Sequence, residues 1–459
     1  MHSCPPFQEN GALWTIPTLI YATSGRWWYV NGLEMMTTQH ETQPRLISAL
    51  DVGSSKVCAV IAQVDESSKL TLSGVGCAPS TGMRKGMVVN VKETIASIEA
   101  AVEEAETQAD LKMDGIYVAI SGEQVRSINN TGVITVSRGE SHMADIQEIS
   151  GDDVERVLEQ AKAITLPGER EILHVLPQEF KVDQLGGIKT PLGHIGHRLE
   201  ARVHLVTIDS SAAQNIIRCA EAAGLYVEAL VLAPLASSAA VLEQTEKEQG
   251  VVLIDIGADT TELVVFYDDG VRHTAVIPFG GNRITNDIAQ ILHTTFQKAE
   301  ELKKEYGYAK FPATVEDNEI TIDGIAGRQP QSTTRRGLSA IAEPRLEEIL
   351  QLCRNEIRKS EVGDRLTFGV VLTGGGALLK EMEEKAGEVF NADIKIGYPL
   401  HVAGLEDMVS SPEYATAIGL LLYGLEHEAT YGISKRSGGV AMFLKSLGSQ
   451  VKDFFKELF

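Results

Sequence analysis

Residues 251–277, VVLIDIGADTTELVVFYDDGVRHTAVI, decide how the rest of the chain is read. Residues 251–254 form a near-continuous apolar run, as a strand buried on both faces should. Asp255, Gly257, Ala258, Asp259, Thr260 and Thr261 then put two acids, a glycine and two hydroxyls into one tight loop. The strand pattern resumes over 261–267, and Asp268-Asp269-Gly270 signals a hairpin turn into a third strand. Gly257 lets backbone N–H groups approach a phosphate, and the hydroxyls can donate to its oxygens. Asp255, at the end of its strand, suits a hydrated Mg²⁺ beside such phosphates.

The chain makes the same pattern earlier. Residues 46–51 read as a strand ending in Asp51-Val52-Gly53-Ser54-Ser55-Lys56; 57–64 return, 65–68 turn and 70–77 form a third strand. Asp51 and Asp255 hold the same place in the two copies. Such a repeat predicts two related lobes, each aiming a phosphate hairpin at a shared cleft.

Composition narrows the classes. At 459 residues the chain has room for several domains and a sizeable core. A net charge of −22 argues against nucleic acid as a partner, because phosphate backbones need clustered Lys and Arg. Cys4, Cys58, Cys77, Cys219 and Cys353 show no metal-ligand spacing, which predicts reduced thiols and no zinc. His194 and His197 fall in the Gly- and Pro-containing stretch 185–197 and read as a surface loop. No apolar run reaches the roughly 18 residues of a spanning helix.

Residues 1–44 carry Trp14, Trp27 and Trp28 in no clear period. They read as a disordered or mis-called leader, with Met35 or Met36 as the favoured start; Glu9, Pro17 and the lack of a basic lead argue against a signal peptide over 12–22. Residues 78–90 are a short connection. A helix over 91–109 puts Ile95, Ile98, Val102 and Ala105 on one face, and 116–120 is a buried strand. Residues 123–200 read as an inserted α+β module, with the parent fold resuming at Ala201. A helix over 212–223, a strand over 227–231 and a small-residue helix over 234–242 complete the first lobe.

In the second lobe Pro278-Phe279-Gly280-Gly281-Asn282 enters a helix over 283–292 and offers an anion site. A helix over 297–306 sets Glu300 and Lys303 three apart on one face. Residues 307–345 read as loop-rich, with a basic spot at Arg335 and Arg336, and 346–362 as a long helix. A buried strand over 368–372 runs into Thr373-Gly374-Gly375-Gly376, which lets backbone approach a ligand face. Residues 414–423 form a compact Ala/Gly helix. The stretch 429–440 reads as a flexible linker. Residues 441–459 are amphipathic: Phe443, Leu444, Leu447, Val451, Phe454, Phe455, Leu458 and Phe459 make an apolar face, with Lys445, Lys452 and Lys456 among the polar residues. Local positive charge after a polar linker predicts an interfacial membrane anchor rather than a helix docked on its own domain.

Two acid–glycine hairpins, a Gly-Gly turn, Glu300/Lys303 and a late Thr-Gly-Gly-Gly together resemble the actin/sugar-kinase/heat-shock-chaperone ATPase superfamily. More narrowly, LDVGSSKV, ILHVLPQEF, GIKTPLG, APLASSAAVL, VVLIDIGADTTEL, VIPFGGNRITNDIA, AEELKKEYG, AEPRLEEIL, GVVLTGGGALLKEM and YATAIGLLLYG resemble the FtsA family of bacterial cell-division proteins, over roughly residues 46–459. The gap 78–90 is too short for the subdomain that actin inserts there, whereas the extra module follows the fourth strand, as the FtsA resemblance implies.

That resemblance implies an α/β, actin-like two-lobed ATPase fold of duplicated ribonuclease-H-like domains, with an inserted α+β 1C subdomain and a C-terminal amphipathic helix. It divides the chain into 1A (45–122 and 201–250), 1C (123–200), 2A (251–293 and 364–428), 2B (294–363), the linker and the membrane-targeting helix. It implies ATP and Mg²⁺ as cofactors. Asp51, Gly53, Ser54, Ser55, Lys56, Asp255, Gly257, Ala258, Asp259, Thr260 and Thr261 would hold phosphates, with Mg²⁺ on Asp51 and Asp255 through water. Gly280, Gly281, Asn282, Glu300, Lys303, Gly374, Gly375 and Gly376 would complete the nucleotide site. Implied partners are the acidic C-terminal tail of the ring protein FtsZ, with Arg335, Arg336 and Arg345 as candidate contacts, further copies of the chain in a filament, an anionic membrane surface on the inner face of the cell membrane, and later division proteins through subdomain 1C.

One departure bears on mechanism. In kinase and chaperone relatives a polar group that positions water or substrate follows the strand matching 227–231, but Leu232-Ala233-Pro234-Leu235 offers none. General-base work needs a group within hydrogen-bond reach of the attacking water. No catalytic residue is therefore named, and at most a weak ATPase is expected. The alternatives are a pilus-assembly actin-like protein of the same branch and a superfamily small-molecule kinase. Removing 441–459 separates them from an adaptor, which would lose membranes where a kinase would keep its activity.

Overall fold

Strand Val251–Ile256 is buried along its whole length at the centre of a five-stranded sheet. On one side it pairs antiparallel with Thr261–Tyr267, which pairs antiparallel with Gly270–Ile277. On the other side it pairs parallel with Val370–Thr373, followed by Ile394–Ile396. The first lobe repeats that order. Arg45–Val52 pairs antiparallel with Lys56–Val64, and that with Leu70–Pro79. On its other side lie Gly115–Ile120 and then Tyr226–Leu232, both parallel. The duplication read from two short motifs is thus a duplication of topology. The computed structural model describes residues 20–21, 27–28, 45–136, 147–324, 329–400 and 402–431. Ile20–Tyr21 pairs with Trp27–Trp28 in a separate unit before Arg45. Most of the leader, the linker beyond 431 and the tail over 441–459 lie outside the described residues.

The two sheets face one shared helical layer. Helix Ala233–Val241 and helix Ala415–Tyr431 pack in a single apolar core with Ala49, Val60 and Val231 of the first sheet and Leu253, Val264 and Val371 of the second. Small residues permit this. A Cβ on Gly419 would lie 1.8 Å from the Ala236 carbonyl oxygen, so only glycine allows the two helices that close. Helices Val91–Ala109 and Ser210–Ala222 cover the far face of the first sheet. Helices Gly281–Ile291, Phe296–Tyr306, Arg335–Ile357 and Met382–Phe390 cover that of the second. Helix Val91–Ala109 keeps its sequence bounds, because the Asn90 side chain caps it and Asp110 ends it in a left-handed conformation.

Four sequence expectations are corrected. The parent fold does not resume at Ala201. Strand Arg198–Asp209 pairs along its length with Arg126–Thr135 and Arg170–Val182, inside the four-stranded sheet of the inserted module. It was read as parent because it serves two cores: Leu199, Val203 and Leu205 pack under helix Gly151–Lys162, whereas Val206 and Ile208 pack in the first lobe. Residues 335–345 are helix, not loop. Pro344 lies inside helix Arg335–Ile357, and a proline there argues for a break that the Thr334 cap and tertiary packing override. Residues 403–428 do not belong with the second sheet. Ala403–Gly404 pairs with Leu70–Pro79, and the last helix lies on the first lobe. That helix also runs to Tyr431, past the expected linker start at 429.

Candidate functional site

Asp51 and Asp255 end the central strands of the two sheets, at the same offset from the same turn. Gly53 N–H donates to the Lys56 carbonyl at 3.0 Å, and Gly257 N–H donates to the Thr260 carbonyl at 2.9 Å. Both central helices reach the second acid. Ser237 Oγ donates to Asp255 Oδ2 at 2.6 Å and Thr416 Oγ1 does so at 3.2 Å. Burial raises the Asp255 carboxyl above its usual range against those two donors. Burial, and then the Asp255 charge, push Asp51 up to about 7, with Lys56 opposing. Lys56 itself pairs with Glu413 at 3.2 Å and lies 3.7 Å over the Tyr414 ring, which ties the first hairpin to the segment before the last helix.

The late glycine turn closes on the second acid. Gly374 has φ +81° and its N–H donates to the Pro412 carbonyl at 3.2 Å. A Cβ there would lie 2.3 Å from Asp255 Oδ1. At Gly375 a Cβ would meet only Glu413 Cβ, at 3.9 Å, so this backbone opens onto free space.

Beside the second hairpin, Gly281 N–H donates to the Gly257 carbonyl at 2.9 Å and Asn282 N–H to Ala258 at 2.7 Å. The Gly-Gly turn therefore braces the hairpin, and these N–H groups are engaged rather than free for an anion. Lys303 Nζ reaches Glu300 at 2.7 Å, Thr285 Oγ1 at 2.9 Å and the Gly281 carbonyl at 3.2 Å. Burial works against the Glu300 charge, but Lys303 and Thr285 hold its carboxyl below the usual range. The Gly280–Gly281 turn thus rests on residues 257–258 and carries Lys303; Gly374 and Gly376 lie against Asp255 and Ile256, and Asp51 feels the Asp255 charge.

Two features escaped the sequence reading. The connection 78–90 carries a small hairpin, Met83–Arg84 with Met87–Val88. From it Lys85 N–H donates to Asp259 Oδ2 at 2.8 Å and Gly86 N–H to Ser54 Oγ at 3.2 Å. Asn282 Nδ2 holds the other Asp259 oxygen at 2.8 Å, so Asp259 links the lobes. The second feature is Glu262, directly across the strand pair from Asp255. It is 4% exposed and its Oε1 has no partner. Burial first, then the Asp255 charge, push its carboxyl up to about 8. A lone acid in the apolar strand TELVVFY, opposite a site acid, was the available signal.

A crowd of raised carboxyls with one orphaned oxygen is an arrangement that a cation between phosphates would relieve, so the residues present fit a Mg²⁺–phosphate group. Among the described residues no three His, Cys, Asp or Glu side chains converge as direct ligands. A cavity of 430 Å³ lined by Glu347, Arg354, Arg358, Lys385 and Glu388 lies on helix Arg335–Ile357, away from these turns.

The expected partner arginines are scattered on that same helix and already engaged. Arg345 pairs with Asp287 at 2.7 Å and with Glu348. The Arg336 guanidinium lies 5.0 Å over Phe311, and that of Arg335 5.9 Å over Tyr306.

Two sheets of one strand order, each ending in an acid–glycine turn and closed on a common helical layer, define an actin-like ATPase fold. Solved structures agree at the level of fold. A chain of the PilM-PilN type IV pilus biogenesis complex matches with a TM-score of 0.58 at 19% identity, over 83% of this chain and 98% of that chain. MreB5 of Spiroplasma citri bound to ADP matches at 0.51 and 13%, over 84% and 97%. Within this fold, the model of cell division protein FtsA matches residues 252–419, and that of the SHS2 domain inserted in FtsA matches 122–207, which follows the module's sheet rather than the expected 123–200. Cell division protein FtsA of Pseudomonas aeruginosa is 38% identical over 87% of this chain and 92% of that protein. Its Escherichia coli counterpart is 36% identical over 90% and 99%. The chain belongs to the FtsA family of cell-division proteins.

Proposed function

We propose that the chain is an ATP- and Mg²⁺-binding, filament-forming adaptor that tethers the FtsZ ring to the inner face of the cytoplasmic membrane and recruits later division proteins. The observation that carries the nucleotide part is the paired hairpins: two turns closed by the same Gly N–H to carbonyl bond bring Asp255 close enough to Asp51 to help raise its carboxyl, beneath a glycine turn open at Gly375. Asp51 and Asp255 would hold Mg²⁺ through water, Ser54, Ser55, Lys56, Thr260 and Thr261 the phosphates, and Glu300, Lys303 and Gly374–Gly376 the nucleoside. Mg²⁺ would neutralise phosphate charge there. Hydrolysis is slow, below the roughly 10 per second of a typical enzyme, because helix Ala233–Val241 begins with alanine and proline where relatives carry a polar group.

The tail supplies attachment. Lys445, Lys452 and Lys456 each add about 1 kcal/mol near anionic lipid, while Asp453 and Glu457 oppose part of it. A single tail binds reversibly, and a filament converts many weak tails into firm attachment through multivalency. Among the described residues no helix is long and apolar enough to cross a membrane. The FtsZ tail would dock on the second lobe near Arg335, Arg336 and Arg345, exchanging an internal carboxylate for its own at Arg345.

The decisive experiment measures binding of labelled ATP by the full chain and by Gly375→Asp. The variant has room for its side chain but places a charge in the opening, so it should fold and lose nucleotide; parental affinity would overturn the site. On the same preparation, Phe454→Glu with Phe455→Glu should abolish flotation with anionic liposomes while ATP still binds. Flotation that survives would show that the tail is not the anchor.

A further inference from the structure

The first hairpin sets two cysteines face to face. In the antiparallel ladder Asp51 is opposite Cys58, and Cys58 is opposite Cys77, so acid and thiols form one row across three strands. The sulfurs lie 2.9 Å apart. Residues directly opposite in such a ladder have Cα atoms about 4.5 or about 5.5 Å apart, within the roughly 4.4–6.8 Å that a disulfide spans. No main-chain rearrangement is needed to join them.

Their surroundings differ. Cys58 is 1% exposed in the core, whereas Cys77 is only partly buried. The hydrogen bond with Cys58 lowers the Cys77 thiol, and Lys56 and the Tyr414 hydroxyl lower it further. A reachable thiol with a nearby cation and a hydroxyl donor has the character of an attacking sulfur; the buried one behind it has that of a resolving sulfur. Cys219 and Cys353 are buried singly, with thiols raised by burial.

We infer that Cys58 and Cys77 are an oxidation site that accepts a peroxide and closes a reversible cross-strand disulfide beside the first acid–glycine turn. Cys77 sulfur attacks one peroxide oxygen: the S–O bond forms, the O–O bond breaks, and the second oxygen leaves as hydroxide. Sulfur is oxidised by two electrons and the peroxide is reduced. Cys58 sulfur then attacks the sulfenic sulfur, the S–S bond forms, and the hydroxyl leaves as water with the Cys58 proton. A dithiol reverses the step by exchange and returns both hydrogens. In a reducing cell the thiol form is the resting one, and the pair responds only to peroxide.

The bond would also reach the cleft. Tyr414 touches Cys77 and ends the turn Pro412–Tyr414, whose Pro412 carbonyl accepts from Gly374 N–H and Thr373 Oγ1. Oxidation removes the thiol that Tyr414 meets and draws Cys58, the neighbour of Asp51, toward Cys77. Weaker nucleotide binding is expected, and this second part rests on the nucleotide reading.

The test uses the full chain with Cys4→Ser, treated with graded hydrogen peroxide, alkylated and mapped by peptide mass. A linked Cys58–Cys77 peptide should form before Cys219 or Cys353 reacts, and dithiothreitol should remove it. In Cys58→Ala the sulfenic acid should persist on Cys77 and be captured by dimedone. No linked peptide in the parental pair, or equal reaction of all four cysteines, would overturn the inference without reference to any variant's folding. Labelled-ATP affinity on the oxidised sample should fall several-fold; unchanged affinity would overturn the coupling. Failure of the reduced protein to bind ATP would instead sink the nucleotide reading and leave the disulfide result standing.

Discussion

Asp51 and Asp255 occupy one position in one strand order, and seven residues past each the register sets Cys58 against the first and Glu262 against the second. Four residues past each stand Ser55, exposed, and Asp259, held by Lys85 and Asn282. Five past each stand Lys56 and Thr260. The first hairpin thus carries a cation and thiols, while the second gathers three carboxylates, two of them raised by burial. A duplicated backbone has kept its turn and divided its electrostatics. The second copy suits a cation-bearing ligand, and the first suits neutralising the same ligand's negative charge. The second is also the better braced, by the glycine turn, both central helices and a hairpin from the other lobe.

That bracing gives the largest expected effect. Gly374→Ala must adopt a left-handed conformation and push a methyl against Asp255 Oδ1, where the gap is 2.3 Å. Together these should cost about 2–4 kcal/mol, read as a fall in the urea midpoint at unchanged slope. Gly375→Ala, with open space, should cost less than about 1 kcal/mol. Equal losses at the two positions would show that the turn does not rest on the second hairpin.

Asp259→Ala comes next. It strips an acceptor from Lys85 N–H and from Asn282 and so loosens the contact between the lobes. Hydrogen bonds to a charged group are worth about 1.5–3 kcal/mol, and a loss near 2 kcal/mol is expected. Amide exchange at Lys85 should quicken in parallel. Unchanged exchange there would mean that the two lobes are held elsewhere.

How much of this was legible follows from the range of each interaction. The two turns, the buried strands and the 91–109 helix are local patterns whose caps and periodicity lie within a few residues, and the sequence displays them. Asp259 and Lys85 meet across 174 residues, and no local pattern announces that contact. Helix Arg335–Ile357 starts well before the expected 346, and Pro344 inside it is a local signal against helix that tertiary packing overrides. Strand Arg198–Asp209 was divided wrongly because one half serves each of two cores. The return of helix Ala415–Tyr431 to the first lobe was invisible, although the small residues that permit its close approach, Gly419 among them, are visible as an Ala/Gly-rich helix. Glu262 could have been found: an acid placed by register opposite a named site acid needed only the pairing rule.

Glu262 supplies a pH dependence of known sign. Its carboxyl lies at about 8 in the folded chain against 4.5 ordinarily, so between these values the folded state binds the extra proton. Stability therefore falls as pH rises through that window and levels off above it. Asp51, pushed up to about 7, acts in the same direction. Glu262→Gln should flatten the upper part of the slope. In chelator, from about pH 7 to about pH 8.5, the parent should lose roughly 1 kcal/mol more than the variant. Parallel slopes would mean that Glu262 is ionised in the folded state.

Ser55→Ala is the smallest expected change and the sharpest control, because Ser55 stands where Asp259 stands in the other copy. Its side chain is exposed at the hairpin tip. The bond that fixes the tip is made by its backbone: Ser80 N–H donates to the Ser55 carbonyl at 3.0 Å, and alanine keeps that carbonyl. Removing an exposed hydroxyl leaves no buried group unpaired, so the urea midpoint should move by less than about 0.5 kcal/mol in the ligand-free chain. Labelled-ATP affinity should nonetheless weaken if the hydroxyl donates to a phosphate oxygen. A stability loss as large as that of Asp259→Ala would remove the asymmetry, because the first tip would then be held by its side chain as the second is. Unchanged stability with reduced affinity would place the two hairpins in different roles: the second as part of the frame that joins the lobes, the first as a surface that meets the ligand alone.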